Sequence, residues 1–383
     1  MISNTSPLLS IVIPTKNRYE CLIPVISAIL SHVESSDFEL IVHDNSTSND
    51  SVVDFFREHK DFRLKYFYVK EELSMVDNTL YSINKSIGKY AVFIGDDDLV
   101  SPFICEITKI LDKKDISCLI YKSGYYWWDS VVFYTSTIFK HKKCFWLPKN
   151  ISKDLVSLYS KNEMEKVLKS GGVHYGNLPR FYHGIVKRSV LDDIFDKTGT
   201  YLPGHCPDMS FAVSISQLID SYCYMNYPVT IFGASKNSGA GWGENKSHFG
   251  KIEEMSFLPK GLIDNWNPKL PKIWSGQTTN AQTIFEVFKA FNIEKEINYG
   301  AFYSSMLVNE PFLKKYLMPV IYKYGNIKLY MQILIGYVQN YSKLSLMSYY
   351  LLFRFKIGKF KFDVSNKNNV DECMMELKRF HIK

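Results

Sequence analysis

Cysteine is scarce in this chain: seven in 383 residues, odd in number, and never paired as CxxC. That excludes a disulfide framework and a thiolate zinc site, and it fits a reducing cytosol. No stretch reaches the roughly 18 uninterrupted apolar residues that a membrane span needs. Met1–Ser10 has no basic segment ahead of an apolar core, so no secretory signal is expected. Neither GxGxxG nor GxxxxGK[ST] follows the first strand, which removes the dinucleotide fold and the P-loop. No repeat of solenoid period is present. From 311 to 362 there is no acidic residue at all. These absences lead us to expect a soluble, cytoplasmic protein.

What is present is an ordinary globular balance, 46% hydrophobic and 22% charged, with a net charge of +7. Residues 311–362 hold nine Lys/Arg, so the remainder of the chain is slightly acidic. The same stretch holds 13 Phe and Tyr. Two readings stay open: the core of a helical domain with solvated lysines, or a segment lying in the headgroup layer of an anionic membrane. A nucleic-acid module is disfavoured, since no RNP, KH or zinc pattern accompanies the charge.

Along the first hundred residues, short β-branched runs alternate with 3.6-period stripes. Leu8–Ile13, Phe38–Val42, Leu64–Val69 and Tyr90–Ile94 read as strands. Tyr19–His32, Asn49–Lys60 and the segment from Val76 to Ile87 read as helices, and Ser101–Pro102 as the cap and first position of a fourth. Such alternation predicts βαβ units and a mostly parallel sheet with helices on both faces. Ser152–Ser170 and Asp208–Ile219 read as further helices, and Tyr227–Phe232 as a strand. Four glycines in Ala234–Gly250 predict a segment without regular structure. The expected organisation is an α/β domain over 1–235, a glycine-rich loop over 236–250, and a helical domain over 251–383.

In a doubly wound sheet, ligands gather beyond the carboxyl ends of the strands. There the sequence places Pro14-Thr15-Lys16-Asn17-Arg18, then His43-Asp44-Asn45-Ser46, then Gly95-Asp96-Asp97-Asp98. Three adjacent aspartates repel unless a cation joins them. Mg²⁺ or Mn²⁺ on one or two carboxylates, completed by a diphosphate, would relieve that repulsion. A solvated acidic turn is the plain alternative, as ordinary turn chemistry is for Asp44.

The blocks LSIVIPTKNR, ELIVHDNSTSND and GKYAVFIGDDD, in this order and spacing, resemble the catalytic domain of family 2 glycosyltransferases of the GT-A fold. The likeness is firm over about the first 120 residues and weak to about 235. It implies a nucleotide-sugar half over 1–120 and an acceptor half over 121–235. It further implies a metal-dependent inverting transferase of a surface-polysaccharide type. The donor would be UDP-linked and the acceptor a saccharide or lipid-linked saccharide. Pro14, Thr15, Asn17, Arg18, Asp44, Asn78, Asp96 and Asp97 would contact the donor, with Asp44 accepting from the base. One departure stands out: Gly95 falls where the family's DxD motif begins. The motif therefore reads as 95–97 or as 96–98, and Asp97 or Asp98 holds the metal. Asp208, in Cys206-Pro207-Asp208-Met209-Ser210, would be the general base; without the resemblance it reads as a helix cap. His248 is a further candidate metal ligand, His183 a weaker one, and Trp242 a candidate lid over the site. The rival enzyme, a nucleotidyltransferase, wants a glycine in the Pro14–Arg18 loop, and none is there. Docking of 311–362 on the inner face of the membrane would bring the site to a lipid-linked acceptor.

Overall fold

A computed structural model describes residues 6–245, 247–356 and 361–380. Strands β1 (Leu9–Thr15), β2 (Phe38–Asp44), β3 (Leu64–Tyr68) and β4 (Tyr90–Phe93) alternate with α1 (Tyr19–His32), α2 (Val53–Glu58) and α3 (Met75–Asn84). There follow β5 (Leu99–Val100), α4 (Ile104–Lys113), β6 (Cys118–Tyr121), β7 (Gly124–Trp127), β8 (Cys144–Pro148), β9 (Leu155–Tyr159) and α5 (Ser160–Lys169). Next are β10 (Gly184–Lys187), α6 (Arg188–Thr198), α7 (Pro207–Ser216), β11 (Ser221–Met225) and β12 (Thr230–Ala234). The last third holds α8 (Gly239–Glu244), β13 (Phe249–Gly250), β14 (Trp274–Ser275), α9 (Gly276–Ala290) and α10 (Tyr299–Asn309). It closes with α11 (Lys314–Tyr324), α12 (Ile327–Lys356), β15 (Phe362–Asn366) and α13 (Val370–Leu377).

The main sheet runs β3-β2-β1-β4-β10-β6-β11-β9. β1 pairs in parallel with both β2 and β4, while β10 and β9 run against their neighbours. The chain steps outward from β1 to β3 and then crosses to the other side at β4. That reversal opens a crevice at the carboxyl ends of β1 and β4. Alternation along the strands feeds two cores. Leu9, Ile11 and Ile13 face one with Val25 and Ile29 of α1; Val12, Ile41 and Phe93 face the other with Ile83 of α3 and Phe211 of α7. A one-residue slip would exchange those faces, so the register is strongly set. Helices thus cover both faces of a mostly parallel sheet, which is the GT-A arrangement expected above.

A second sheet, β15-β8-β7-β12-β5, leans on the turn after β4. β12 pairs antiparallel with β5 and parallel with β7, so the aspartate turn between β4 and β5 lies against β12. A third core joins α9, α10, α11 and α12 through Ile284, Phe288, Phe302, Met306 and Leu317. The C-terminus does not stay in this helical part. β15 pairs with β8, and α13 packs on α1, burying Val370, Cys373 and Met374 in the first core.

Three local expectations are corrected. Ser101 does not cap a helix starting at Pro102; α4 is capped at Phe103, and Ser101 Oγ accepts the Phe103 N–H at 3.2 Å in a preceding turn. Residues 152–170 are not one helix, because Leu155–Tyr159 is drawn into an edge strand against β11. The glycine-rich segment is ordered into α8 and β13, and Ser238 caps α8 by accepting from the Gly241 N–H at 3.1 Å. Gly241 serves close approach there: a Cβ would stand 1.8 Å from the Ser235 carbonyl oxygen.

Candidate active site

Three strand ends meet at the crevice. Pro14 lies in β1 opposite His43, and the next residue, Thr15, donates to Asp96 Oδ2 at 2.5 Å. Arg18 reaches the same carboxylate, Nη2 lying 2.5 Å from Asp96 Oδ1, and its Nη1 lies 3.6 Å from Asp97 Oδ1. Asn17 takes a left-handed φ of 59°, which asparagine tolerates better than most residues. Its N–H donates to Ser46 Oγ at 2.7 Å and its Oδ1 accepts the Thr47 N–H at 3.0 Å, tying the loop after β1 to the turn after β2. Asn78 is spent on support: it meets His43 Nδ1 at 2.6 Å and donates to the Thr15 carbonyl at 3.2 Å.

The three aspartates have different surroundings. Asp96 is fully buried, and burial, opposed by Arg18 and reinforced by Asp97, pushes its pKa up to about 7. Asp98 is filled on both oxygens. Its Oδ2 accepts from the Gly95 N–H at 2.6 Å, Tyr182 Oη at 3.0 Å and His183 Nε2 at 2.9 Å, and its Oδ1 accepts from the Gly233 N–H at 2.6 Å. Burial alone would raise the Asp98 pKa, but the His183 charge and these donors hold it below the usual carboxylate range. Asp97 differs again. Its Oδ2 accepts from the Ser235 N–H at 3.0 Å, while no hydrogen bond among the described residues reaches Oδ1. Of the two candidate metal ligands, Asp97 therefore keeps an oxygen free and Asp98 does not. Gly95 stands at the start of the motif for a spatial reason: a Cβ there would lie 3.0 Å from Asp98 Oδ2 and 3.2 Å from Asp97 Oδ1.

Asp44 is also buried, and both its oxygens are engaged. Tyr19 and Tyr66 each donate to Oδ2 at 2.6 Å, and the Ser46 N–H donates to Oδ1 at 2.8 Å. Oδ2 is thus occupied by two tyrosine hydroxyls, while Oδ1, with only the Ser46 N–H, can accept one more donor.

Asp208 sits in the first turn of α7, but the cap position is Cys206, and no side chain caps this helix. The carboxylate is thus not committed to capping. Burial, with the charge of Asp98 added, raises its pKa to about 7, against the opposing charge of Arg180. His248 packs at a tilt against Trp274, ring centres 4.3 Å apart, and lies 6.4 Å from Trp242, and burial lowers its pKa. Trp242 in turn packs on Phe257 at 5.8 Å, docked against the helical core. Among the described residues, no three His, Cys, Asp or Glu side chains are grouped to hold a metal ion.

Two residues of the site carry little sequence signal. His183 is fully buried at a left-handed φ of 51°, a strained conformation that costs on the order of 1–3 kcal/mol. Hydrogen bonds to Thr230 at 2.6 Å and to Asp98 hold it there. Arg180 is almost as buried and lies beside a cavity of about 970 Å³, lined by aromatic residues of β6, β7 and β8.

Residues 10–164 match the family model described as glycosyl transferase family 2. An uncharacterised glycosyltransferase of Rickettsia conorii is 35% identical over 91 residues, covering 24% of this chain and 15% of that protein. One of Rickettsia bellii is 34% identical over 90 residues, 24% of this chain and 13% of that protein. The chain thus spans about one-seventh of the length of these relatives. Among solved structures, Staphylococcus aureus TarS in complex with UDP-GlcNAc is 12% identical, with a TM-score of 0.44 over 87% of this chain and 79% of that one. The Pyrobaculum calidifontis mannosyltransferase in complex with GDP-Man and Mn²⁺ is 12% identical, with a TM-score of 0.43 over 91% and 86%. It is through residues 10–164, with the strand ends just described, that the chain is similar to glycosyl transferase family 2.

Proposed function

We propose that the protein transfers a sugar from a nucleotide donor, UDP-linked by the reading of Asp44, to a saccharide or lipid-linked saccharide acceptor. The observation that carries this is the aspartate turn at the crevice, where Asp97 Oδ1 accepts no hydrogen bond from the described residues and the charge of Asp98 reaches Asp208, whose pKa is about 7. A carboxylate near pKa 7 is half deprotonated at neutral pH, so it can take a hydroxyl proton and later release it. In the proposed step the acceptor oxygen attacks the anomeric carbon as the bond to the diphosphate breaks. The proton passes to Asp208, and one displacement inverts the centre.

Asp97 Oδ1 fits a hard divalent cation held by one carboxylate and completed by the donor's diphosphate. Mn²⁺ or Mg²⁺ bound there would stabilise charge on the leaving diphosphate. Thr15, Arg18 and Asp96 form one linked unit at the donor edge, and Asp44 Oδ1, which accepts only the Ser46 N–H, would take the base N–H. Calorimetry with UDP- and GDP-sugars, with Mn²⁺ and then with EDTA, tests the reading. Binding of one nucleotide class with Mn²⁺ and its loss in EDTA is expected; binding of neither class would overturn it.

A separate observation favours docking on an anionic membrane. α12 leaves an apolar face uncovered, with Met331 60%, Leu334 65%, Ile335 56% and Val338 57% exposed, in a stretch that holds cations and no acids. Such a helix lies in the headgroup layer and sets the crevice near a lipid-linked acceptor.

A further inference from the structure

Arg180 is only 8% exposed, and among the described residues it forms no ion pair. Its one hydrogen bond is long, Nη2 to the Tyr121 carbonyl at 3.5 Å, and its Nε has no partner. The guanidinium otherwise lies over the Tyr175 ring at 5.3 Å. A buried guanidinium is always charged, and leaving it without an anion is costly. Its charge acts on Asp208, but burial and the Asp98 charge raise the pKa of that carboxyl to about 7.

The cavity beside Arg180 repeats the imbalance. Arg180, Lys122 and Lys140 line it against one carboxylate, Glu244, which Lys140 already pairs at 2.5 Å. Lys122 forms no ion pair among the described residues and sits over the Phe362 ring at 5.0 Å. Burial lowers its pKa, and the charges of Lys361 and Arg180 lower it further, the signature of an uncompensated positive field. Around these cations stand Tyr125, Trp127 and Trp146, flat apolar faces of the kind that pack on sugar rings. The donor edge has its own arginine, Arg18, and the charge of Arg180 is not among those acting on Asp96. None of Thr15, Arg18, Asp44 or Asp96 lines the cavity, whereas Gly233, whose N–H donates to Asp98, does, so the cavity lies beside the donor edge, and the charge of its Arg180 acts on Asp208.

We infer that this cavity is the acceptor site and that it selects a saccharide carrying a negative charge, phosphate or carboxylate, seated on Arg180 and Lys122. The inference rests on the glycosyltransferase reading and narrows its acceptor to an anionic class. An oxyanion would supply the hydrogen bonds that Arg180 lacks, in the two-pronged geometry guanidinium favours. It would also offset the Arg180 charge that lowers the Asp208 pKa, and so raise the proton affinity of that carboxylate.

Quenching of intrinsic tryptophan fluorescence tests this directly, since Trp127 and Trp146 line the cavity. The probes are glucose 6-phosphate, glucuronate and methyl glucoside at constant ionic strength, with the nucleoside diphosphate that binds best as a separate arm. The expected result is at least tenfold tighter binding of one or both anionic sugars than of methyl glucoside. Phosphate and glucuronate arms distinguish the two anions. Arg180→Gln should remove that preference, and Arg180→Lys should keep part of it. Equal binding of neutral and charged sugars by the wild-type protein would overturn the inference, whether or not Arg180→Gln folds. So would an Arg180→Gln protein that loses nucleotide affinity as much as sugar affinity, since Arg180 would then belong to the donor. A wild-type protein that binds no nucleotide at all would sink the transferase reading instead.

Discussion

In the proposed reaction Asp208 takes the acceptor proton, and its surroundings make two opposite demands on that proton. Burial and the neighbouring Asp98 charge raise its pKa to about 7, so the proton stabilises the folded state over the unfolded one. That stabilisation is complete below the unfolded pKa, near 4, and is lost as pH rises to about 7. Turnover has the reverse dependence, rising through pH 7 as the carboxylate is freed. Asp208→Asn should therefore lower turnover by about 10²–10⁴ and keep nucleotide affinity within a few-fold. The same variant should melt higher than wild type at pH 8 and no higher at pH 4. A variant with unchanged turnover would leave Asp208 without a catalytic role. Asp97 and Asp98 separate in the same way. Asp97→Asn should abolish Mn²⁺-dependent nucleotide binding while the melting temperature nearly holds, because among the described residues its Oδ1 accepts no hydrogen bond and meets only Arg18 at 3.6 Å. Asp98→Asn removes the charge that faces His183 and turns an NH2 group against either the Gly233 N–H or the Gly95, Tyr182 and His183 donors, and should cost about 3–5 kcal/mol in a denaturant titration. If the two variants exchanged these phenotypes, the metal would belong on Asp98.

Elements matter here through how closely their backbones approach. β12 passes so near the aspartate turn that a Cβ on Gly233 would lie 1.9 Å from the Asp97 carbonyl oxygen. Gly233→Ala must push β12 or the turn aside, breaking the Gly233 N–H bond to Asp98 and moving Asp97. We expect a loss of at least tenfold in nucleotide affinity and a lower melting temperature; unchanged affinity in a titration would show that the turn is held without β12. The sequence shows the first four strands and three helices clearly, because their periods of 2 and 3.6 are local properties. It shows the strand-end clusters for the same reason, since each lies in one short block. It does not show that His183 and Gly233 close over Asp98, because those partners come from 85 and 135 residues away. Nor does it show Arg180 as unpaired, since being unpaired depends on every neighbour. β9 was legible only as a helix because Leu155, Val156 and Leu158 satisfy either period, and pairing with β11 decides between them. In the glycine-rich segment, close packing rather than conformational freedom explains Gly241, so composition pointed the wrong way.

At the scale of the whole molecule, α12 is the feature that a folded domain alone does not explain. Leu329 and Ile333 face the helical core, Gly336 lies against Ser304, and Asn340 donates to Ser304 Oγ at 3.3 Å, so this side is seated on α10. Met331, Leu334, Ile335 and Val338 follow the same helical period on the opposite side and are more than half exposed. No helix among the described residues is long and apolar enough to cross a membrane, so α12 would lie along a bilayer rather than through it. Lys314, Lys315, Lys323, Lys328 and Lys343 flank it without a single acid between 311 and 362, which gives the anionic surface its complement. Each basic residue near such a surface contributes on the order of 1 kcal/mol, enough in sum for reversible attachment. Part of the segment forms core, as Leu317 and Ile333 do with Tyr316 packed against them, and the exposed side of α12 remains for the lipid. Co-sedimentation with vesicles of phosphatidylglycerol and phosphatidylcholine should show binding at low salt. It should fall severalfold near 1 M salt, where the screening length is about 3 Å. Leu334→Glu with Ile335→Glu should abolish binding without changing the melting temperature, since neither side chain is packed. Wild-type protein left in the supernatant at low salt would refute membrane docking, and a concentration-dependent dimer abolished by the same two changes would give the face to a second copy of the chain.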